Sequence, residues 1–309
     1  MTTEASDWNH DTSSLLTTLR RFAEKYAEFK AAKKTCLFAL ELEEKFALLI
    51  DNLAEFECEL LQQAESYLLW GFRGEHAESM QSRLCLDRRL ANLLTACRLY
   101  LDQTDHGISE IFGKQSDQLA EVKKFKNDLY DNHWGYRLME ALRNHVQHSG
   151  LIIHILDYPN FRSKGKGPDY SEFTISPQTK VSTLAENSNF KKLILEELQS
   201  MGEKVDLRGP IREYLSCFVD LHDKIREVIQ MRTAEARALY EEAIHEFRVI
   251  DGQEVRYAHL LESHDDDRKN DEVALVTEFL EYYDQLRKRN KVNKHLERAT
   301  ASNTDQKRT

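Results

Sequence analysis

A short polar segment inside a helical pattern carries the residue types best suited to chemistry on phosphates. Arg143 is followed directly by Asn144, and His148 comes four residues after Asn144. The planar, permanently charged guanidinium of Arg143 suits phosphate oxygens. His148 suits proton transfer, because the ordinary pKa of histidine lies near neutrality. Asn144 can hold either the histidine ring or a phosphate by hydrogen bonding, so the three residues together predict acid–base chemistry on a phosphate ester.

The helical period places this segment on one face of its helix. At about 100° per residue, Asn144 and His148 lie on one line, and the long side chain of Arg143 can reach them. Three further polar residues fall on the same face and could support the site: Tyr136, Glu140 and His133. The face lies opposite the apolar stripe of the helix, so we expect it to meet either water or a second protomer.

The surroundings of the segment carry a family resemblance. Leu142 precedes Arg143, Gly150 follows as a helix cap, and the apolar run 151–153 comes next. This pattern resembles the R-x(4–6)-H signature of the HEPN (higher eukaryotes and prokaryotes nucleotide-binding) superfamily, over residues 80–157. Members are helical bundles that are often dimeric. Many are metal-independent endoribonucleases in toxin–antitoxin, anti-phage or RNA-processing systems, and others have lost the activity.

The resemblance implies a specific function for this chain. Arg143, Asn144 and His148 become the catalytic residues of an endoribonuclease that cleaves RNA by attack of the 2′-hydroxyl group, in a toxin or phage-defence setting. The motif helix becomes a homodimer interface, in which two His148 side chains divide the acid and base roles. No cofactor and no metal are implied. An antitoxin or regulatory protein is a possible further partner.

Two other interpretations stay open. A protein of this kind could bind RNA or a nucleotide through the same face without cleaving it. Alternatively, the long segments at 11–70 and 207–250 could serve a helical scaffold that holds partner proteins. A polar face opposite an apolar stripe is also typical of an ordinary solvated helix, on which Arg143 would pair with Glu140. His145 lies next to the apolar edge, so we expect it to be structural.

Composition predicts the fold class that must position these residues. The chain has 309 residues with only 11 Gly and 4 Pro, and all four Pro fall between 159 and 210. All-β and repeating βαβ architectures need far more turn residues, so they are excluded. The sequence therefore predicts an all-α bundle of long amphipathic helices, interrupted by one irregular loop or short hairpin.

Apolar periodicity predicts where the elements lie. We expect helix, in one or two pieces, over 11–70, and then over 78–112, 115–131, 133–149 and 207–250. A loop with a short hairpin is expected within 158–189. The turn at 251–252 and the acidic patch at 264–267 should separate two further helices, the last over 271–298. These patterns suggest three consecutive segments, 1–157, 158–206 and 207–309.

Charge and cysteine content bound the setting. The formal net charge of −10 argues against nucleic-acid binding by the whole surface, but it leaves room for a local cationic site. The last 25 residues are basic and could touch nucleic acid or complement a helix dipole. Five Cys show no C-x-x-C pair, and no secretory signal or apolar stretch of membrane-spanning length is visible. We therefore expect a reduced, cytoplasmic protein without a membrane segment.

Overall fold

The computed structural model describes the backbone of residues 4–71, 76–163, 170–251, 258–262 and 271–299. Side chains are described for 25–71, 77–159, 173–245 and 276–299. Within these ranges the chain is predominantly α-helical, with a few short strands, so the predicted all-α fold class is confirmed. None of the described helices combines the length and the apolar character needed to cross a membrane.

Long helices form most of the described chain. The α-helices are α1 Glu4–Trp70, α2 His76–Phe112, α3 Asp117–Asn132, α4 Trp134–His148, α5 Val181–Ala185, α6 Lys192–Met201, α7 Arg208–Asp251 and α8 Glu278–Arg289. A 3₁₀ turn follows at Leu296–Arg298. The helices predicted over 11–149 are confirmed, and the first of them is one continuous helix of 67 residues. Pro210 lies in the first turn of α7, where its missing N–H group costs nothing.

The irregular middle segment contains the predicted hairpin and a small sheet. Its strands are β1 Ile155–Asp157, β2 Asn160–Ser163, β3 Tyr170–Phe173, β4 Ser176–Lys180 and β5 Lys204–Asp206. Strands β2 and β3 form an antiparallel hairpin. Strands β1, β4 and β5 form a three-stranded antiparallel sheet with β4 in the centre. The sheet was not predicted, because its strands are only three to five residues long and two helices separate β4 from β5.

The C-terminal part differs from the prediction of two further helices. Strands β6 Ala258–Glu262 and β7 Asp271–Leu275 pair antiparallel instead of forming helix. Each apolar run there is only a few residues long, and a polar stretch separates the two runs, so neither run sustains the period of an amphipathic helix. The last helix, predicted over 271–298, is α8 and covers Glu278–Arg289. It ends early because Asn290 is buried and its amide group donates to Glu43.

The chain forms two compact units, each assembled from separated stretches of sequence. Unit 1 comprises residues 1–44 and 226–291, and unit 2 comprises residues 45–225 and 292–309. Helices α1 and α7 each contribute residues to both units. The candidate site residues on α4 belong to unit 2. The division into the segments 1–157, 158–206 and 207–309 was based on sequence patterns alone, and it stays a prediction.

Unit 1 is held by an apolar cluster and by a buried ion pair. The cluster joins residues of α1, α7 and α8: Ala32, Cys36, Ala236, Tyr240, Ile244 and Leu280. The carboxylate of Glu43, which is 1% exposed, accepts from Nε of Arg226 at 2.7 Å and from Nη2 at 2.6 Å. Nδ2 of Asn290 donates to the same carboxylate and to the Glu43 carbonyl, both at 2.8 Å. The buried charge is therefore both paired and hydrogen-bonded, as burial requires.

Unit 2 has an aromatic core between α1, α2 and α7. His222 on α7 is 1% exposed, and its ring stacks on Phe46 of α1 with centroids 3.8 Å apart. Nδ1 of His222 lies 2.9 Å from the hydroxyl group of Tyr100 on α2. Tyr100 also packs edge-on against Phe218. These contacts fix α7 against α1 and α2.

We expect Glu43→Ala to lower the free energy of unfolding by about 3–5 kcal/mol, because the largely covered guanidinium of Arg226 and the buried amide of Asn290 would both lose the carboxylate that accepts from them. Urea unfolding followed by circular dichroism measures this loss. Glu44→Ala is the matched control, because the neighbouring Glu44 is exposed. A loss no larger in Glu43→Ala than in Glu44→Ala would contradict the structural role of the ion pair.

Candidate functional site

Helix α4 carries the predicted motif, and its first turn is fixed by α7. Oε2 of Glu213 accepts from the Gly135 backbone N–H at 2.8 Å, and Oε1 lies 3.2 Å from Nδ1 of His133. This carboxylate satisfies a free N–H group and complements the positive end of the α4 dipole. Gly135 is needed here, because a Cβ atom would lie 2.6 Å from Oε2 of Glu213 and 2.7 Å from the Pro210 carbonyl oxygen. His133, predicted to support the site, thus lies at the opposite end of α4 from His148.

Tyr136 packs inside unit 2, not on an exposed face. It is 4% exposed and meets Tyr214 edge-on at 5.1 Å between ring centroids. Its ring stacks on Phe218 at 6.0 Å and meets Tyr130 edge-on at the same distance. Burial raises the pKa of its hydroxyl group far above the usual range, so Tyr136 stays protonated. Its connection to the motif therefore runs through Tyr214.

Tyr214 of α7 links the core to the motif through Glu140. The Tyr214 hydroxyl group donates to Oε1 of Glu140 at 2.5 Å. The other oxygen of Glu140 lies 3.5 Å from Nε of Arg143, and the two side chains are only 12% and 13% exposed. The Glu140–Arg143 ion pair that the sequence offered as an alternative is therefore present, and it is largely covered. Glu140 thus receives a hydrogen bond on one oxygen and a cation near the other.

Arg143 also contacts the two exposed amide side chains beside it. Its Nη2 donates to Oδ1 of Asn144 at 2.7 Å, and its Nη1 donates to Oε1 of Gln147 at 3.0 Å. Nε of Arg143 is buried and makes no hydrogen bond among the described residues. The guanidinium therefore contacts the largely covered carboxylate of Glu140 and the exposed amide groups of Asn144 and Gln147.

His148 is the last residue of α4 and is exposed, like Asn144 and Gln147. The hydrogen bonds and ion pairs of the described residues join Arg143 to Asn144, but they do not join either residue to His148. The structure therefore brings Arg143 and Asn144 together and places His148 one turn further along the same exposed end of α4. A phosphate bound to Arg143 beside Asn144 and Gln147 would face two amide groups and an accessible imidazole.

Two other histidines close to the motif serve the fold. His145 is 6% exposed, its Nδ1 accepts from Nδ2 of Asn187 at 3.0 Å, and burial lowers its pKa. Nδ1 of His154 accepts from the Lys180 backbone N–H at 3.0 Å. Burial lowers the pKa of His154, and the nearby charges of His145, Arg83 and Lys180 lower it further. The structural role predicted for His145 fits this environment.

The chain leaving α4 is tied to α2 by a buried carboxylate. Oδ1 of Asp87, a residue that is 1% exposed, accepts from the backbone N–H groups of Ile152 at 3.1 Å and Ile153 at 2.9 Å. Nη1 of Arg83 donates to the Ile153 carbonyl at 3.1 Å. Burial raises the pKa of Asp87 against the lowering effect of these hydrogen bonds. Helix α2 thereby holds the segment that follows the C-terminal end of α4.

The basic C-terminal region is partly engaged within the fold. Arg287, Lys288 and Arg289 form the last turn of α8, where they complement its dipole. Nζ of Lys294 lies 2.9 Å from Oδ2 of Asp223, and this contact raises the pKa of the lysine. Residues 300–309 lie outside the described residues. The interpretation that these basic residues complement a helix dipole is thus supported for α8.

Three residues of this arrangement were not found by sequence reasoning. Gln147 lies inside the motif but was not assigned a role, although its spacing from Arg143 allows a contact. Glu213 is 78 residues from its partner Gly135 and Tyr214 is 74 residues from its partner Glu140, so the sequence gives no signal of these contacts. The one available signal is Gly135, the second residue of α4. A glycine where a helix-forming residue is expected indicates that another part of the chain approaches the helix closely.

The site offers no preformed metal centre in the part of the chain that the structure describes, because no three His, Cys, Asp or Glu side chains converge there. Comparisons with protein-family models, curated proteins and solved structures find no match to this chain. The function of the site is therefore argued from its own residues.

We expect Gly135→Ala to destabilise the protein by about 1–3 kcal/mol, because the added methyl group would displace Glu213 and the Pro210 carbonyl from the start of α4. Gly209→Ala is the control, because a Cβ atom there meets nothing within 4 Å. In a helix this second change removes the flexibility of glycine and should be neutral or stabilising. Thermal unfolding of both variants tests the contrast, and equal melting temperatures would contradict it.

We expect the stability of the fold to decrease as the pH falls below 6.5, the ordinary pKa of a histidine side chain. His145 and His154 have lowered pKa values in the folded state, so the unfolded chain binds protons first and gains stability from them. Above that pH the two histidines are uncharged in the folded and in the unfolded chain, so their effect on stability vanishes. Melting temperatures measured from pH 7.5 to 5 report this loss.

Replacement of both histidines by asparagine should flatten this pH dependence, because an asparagine oxygen can accept in place of Nδ1. His106→Asn, at an exposed position on α2, is the control and should leave the dependence unchanged. An unaltered slope in the double variant would show that other groups cause the effect.

Proposed function

We propose that this protein is a HEPN-like, metal-independent endoribonuclease in which Arg143, Asn144 and His148 form the catalytic site. The observation that carries the proposal is the exposed end of α4, where Arg143 is held by Glu140, Asn144 and Gln147 beside the accessible ring of His148. A fixed guanidinium offers a planar donor surface for phosphate oxygens. An exposed imidazole offers a group that can accept and donate a proton.

The proposed reaction uses these side chains from two copies of the chain. His148 takes the proton of a ribose 2′-hydroxyl group, and the 2′-oxygen attacks the adjacent phosphorus atom. Arg143 stabilises the negative charge that builds up on the phosphate oxygens. The bond from phosphorus to the 5′-oxygen breaks, and this oxygen takes a proton from the His148 of a second copy of the chain. The products are a 2′,3′-cyclic phosphate and a 5′-hydroxyl end.

A homodimer through α4 would complete the site. One His148 cannot serve at the same moment as base for the 2′-hydroxyl group and as acid for the 5′-oxygen, whereas two could share these roles. The exposed side chains of Asn144, Gln147 and His148 provide the surface on which a second copy would pack. We propose a cytoplasmic toxin or phage-defence role, with an antitoxin or regulatory protein as a further partner. Five free cysteines are consistent with a reducing compartment.

One observation favours a non-catalytic protein that binds RNA or a nucleotide. Arg143 is already paired with Glu140 and donates to two amide groups, so its charge is partly compensated before any phosphate arrives. Such a residue can still donate its remaining N–H groups to a phosphate. Binding through Arg143, without proton transfer by His148, is therefore the second candidate function.

A helical scaffold is the third candidate, and it is favoured by exposed apolar residues on the long helix α1. Leu68, Leu69 and Trp70 at its end are 55%, 62% and 67% exposed. This candidate assigns no chemistry to α4. Under it, replacement of His148 or Arg143 would leave partner binding intact.

We expect the purified protein to cleave single-stranded RNA in the presence of EDTA, and His148→Ala to reduce the rate at least about 100-fold, the usual contribution of an acid–base residue. His106→Ala is the control, because this exposed histidine lies on α2, away from the motif. Analysis of the RNA ends should show a cyclic phosphate.

The outcomes separate the three candidates. Full activity in His148→Ala would rule out the proposed mechanism. RNA binding without cleavage, weakened in Arg143→Ala, would support the non-catalytic module. If neither cleavage nor binding of RNA is found and Arg143→Ala changes only stability, the scaffold gains support.

A further inference from the structure

We propose that Lys180 and Lys204 bind the phosphate backbone of a single-stranded RNA beside the end of α4. The two lysines lie opposite each other in the three-stranded sheet of unit 2, Lys180 at the end of the central strand β4 and Lys204 at the start of β5. This inference rests on the proposal that the protein acts on RNA, and it adds a substrate contact outside the motif of α4.

The register of β4 and β5 brings the two lysine side chains close together on one face of the sheet. In the pair next to them, the backbone N–H of Val181 donates to the Glu203 carbonyl at 3.0 Å. Hydrogen-bonded and non-hydrogen-bonded pairs alternate along an antiparallel ladder, so Lys180 and Lys204 form a non-hydrogen-bonded pair. The Cβ atoms of such a pair are about 4.5–5.5 Å apart, and its side chains approach each other most closely.

These two positive charges have no counter-charge in the part of the chain that the structure describes, because no ion pair there includes either lysine. Two carboxylates lie within two residues of Lys204, but both have other partners. Asp206 accepts from Arg208 through both oxygens. Glu203 accepts from the hydroxyl group of Ser182. Like charges directly opposite destabilise a sheet, so this pair in a chain of net charge −10 indicates a place where an anion binds.

Protection of the sheet edge does not explain the pair. Strand β5 is at the edge, where an exposed lysine discourages pairing with another chain. That role accounts for Lys204 but not for Lys180, because β4 already has β1 and β5 as its neighbours. The adjacent pair, Thr179 with Val205, points to the opposite face and is buried. The lysines are therefore on the outer face of the sheet, where Lys204 is exposed.

The lysine end of the sheet adjoins the end of α4. The Lys180 backbone N–H donates to Nδ1 of His154 at 3.0 Å. Burial lowers the pKa of His154, and the charges of His145 and Lys180 lower it further, so both lie close to its ring. His145 is in the last turn of α4, three residues before His148. Single-stranded sites cover about 4–16 nucleotides, so one RNA strand can contact the motif and the lysines together.

Titration of the full chain with a fluorescent 2′-O-methyl oligouridine of about 12 nucleotides measures binding without cleavage, because the attacking 2′-hydroxyl group is blocked. We expect the double variant Lys180→Gln, Lys204→Gln to bind at least about tenfold more weakly at about 0.1 M salt. Each phosphate contact on a single strand contributes about 0.7 to the slope of log affinity against log salt. The double variant should therefore lower this slope by about 1.4, and each single variant by about half as much.

Lys114→Gln is the matched control, because this exposed lysine follows the C-terminal end of α2. The segment after α4 contacts Asp87, near the other end of α2 and about 40 Å away along the helix. We expect this variant to keep both the affinity and the salt slope of the unaltered chain.

Lys204→Glu separates a binding role from a structural one. A carboxylate opposite Lys180 replaces repulsion by attraction, so the melting temperature should rise while RNA binding weakens. A pair that serves only the fold would not lose RNA binding as the fold becomes more stable.

The outcomes separate this inference from the ribonuclease proposal. Binding that is weakened in the lysine variants, without cleavage of unmodified RNA by the unaltered chain, would support the lysine contact and contradict the ribonuclease. Cleavage that depends on His148, together with equal affinities of the double variant and Lys114→Gln, would overturn the lysine contact alone. The lysine contact is also overturned if the unaltered chain shows no saturable binding of the oligonucleotide.

Discussion

The hydrogen bond from the Tyr214 hydroxyl group to Glu140 is the interaction on which the candidate site depends. It lies between α7 and α4, beside the edge-to-face contact of Tyr214 with Tyr136. Together these contacts fix the rotation of α4 about its own axis. Because of that rotation, Glu140 and Arg143 are mostly covered while Asn144 and His148 are exposed. Successive residues are offset by about 100° around a helix, so a different rotation would change which of these side chains are exposed.

The same interaction decides how much charge the site can offer. Glu140 accepts from Tyr214 and lies beside Arg143, so the nearest counter-charge of the guanidinium is built into the fold. This pairing orients the guanidinium and reduces its net attraction for a phosphate. The chain as a whole carries −10, which adds repulsion at long range. Any RNA would therefore be held by short-range donor geometry and not by the general field of the protein.

Sequence reasoning predicted the helices of unit 2 and the exposure of Asn144 and His148, because apolar periodicity reports directly which face of a helix is buried. It did not predict that Arg143 would be covered, since that depends on Tyr214, a residue 71 positions further along the chain. The strands β6 and β7 were missed for a related reason. Their short apolar runs give no helical or alternating period that is long enough to decide, and the pairing of the two strands defines the structure.

The three histidines near the end of α4 differ in their burial and in their contacts. His145 and His154 each use Nδ1 to accept a hydrogen bond, and burial lowers the pKa of both. Asp87 ties down the chain between them through the backbone of Ile152 and Ile153. His148 alone of the three is exposed at the end of the helix. The acid–base role proposed for His148 would therefore leave the hydrogen bonds of His145 and His154 intact.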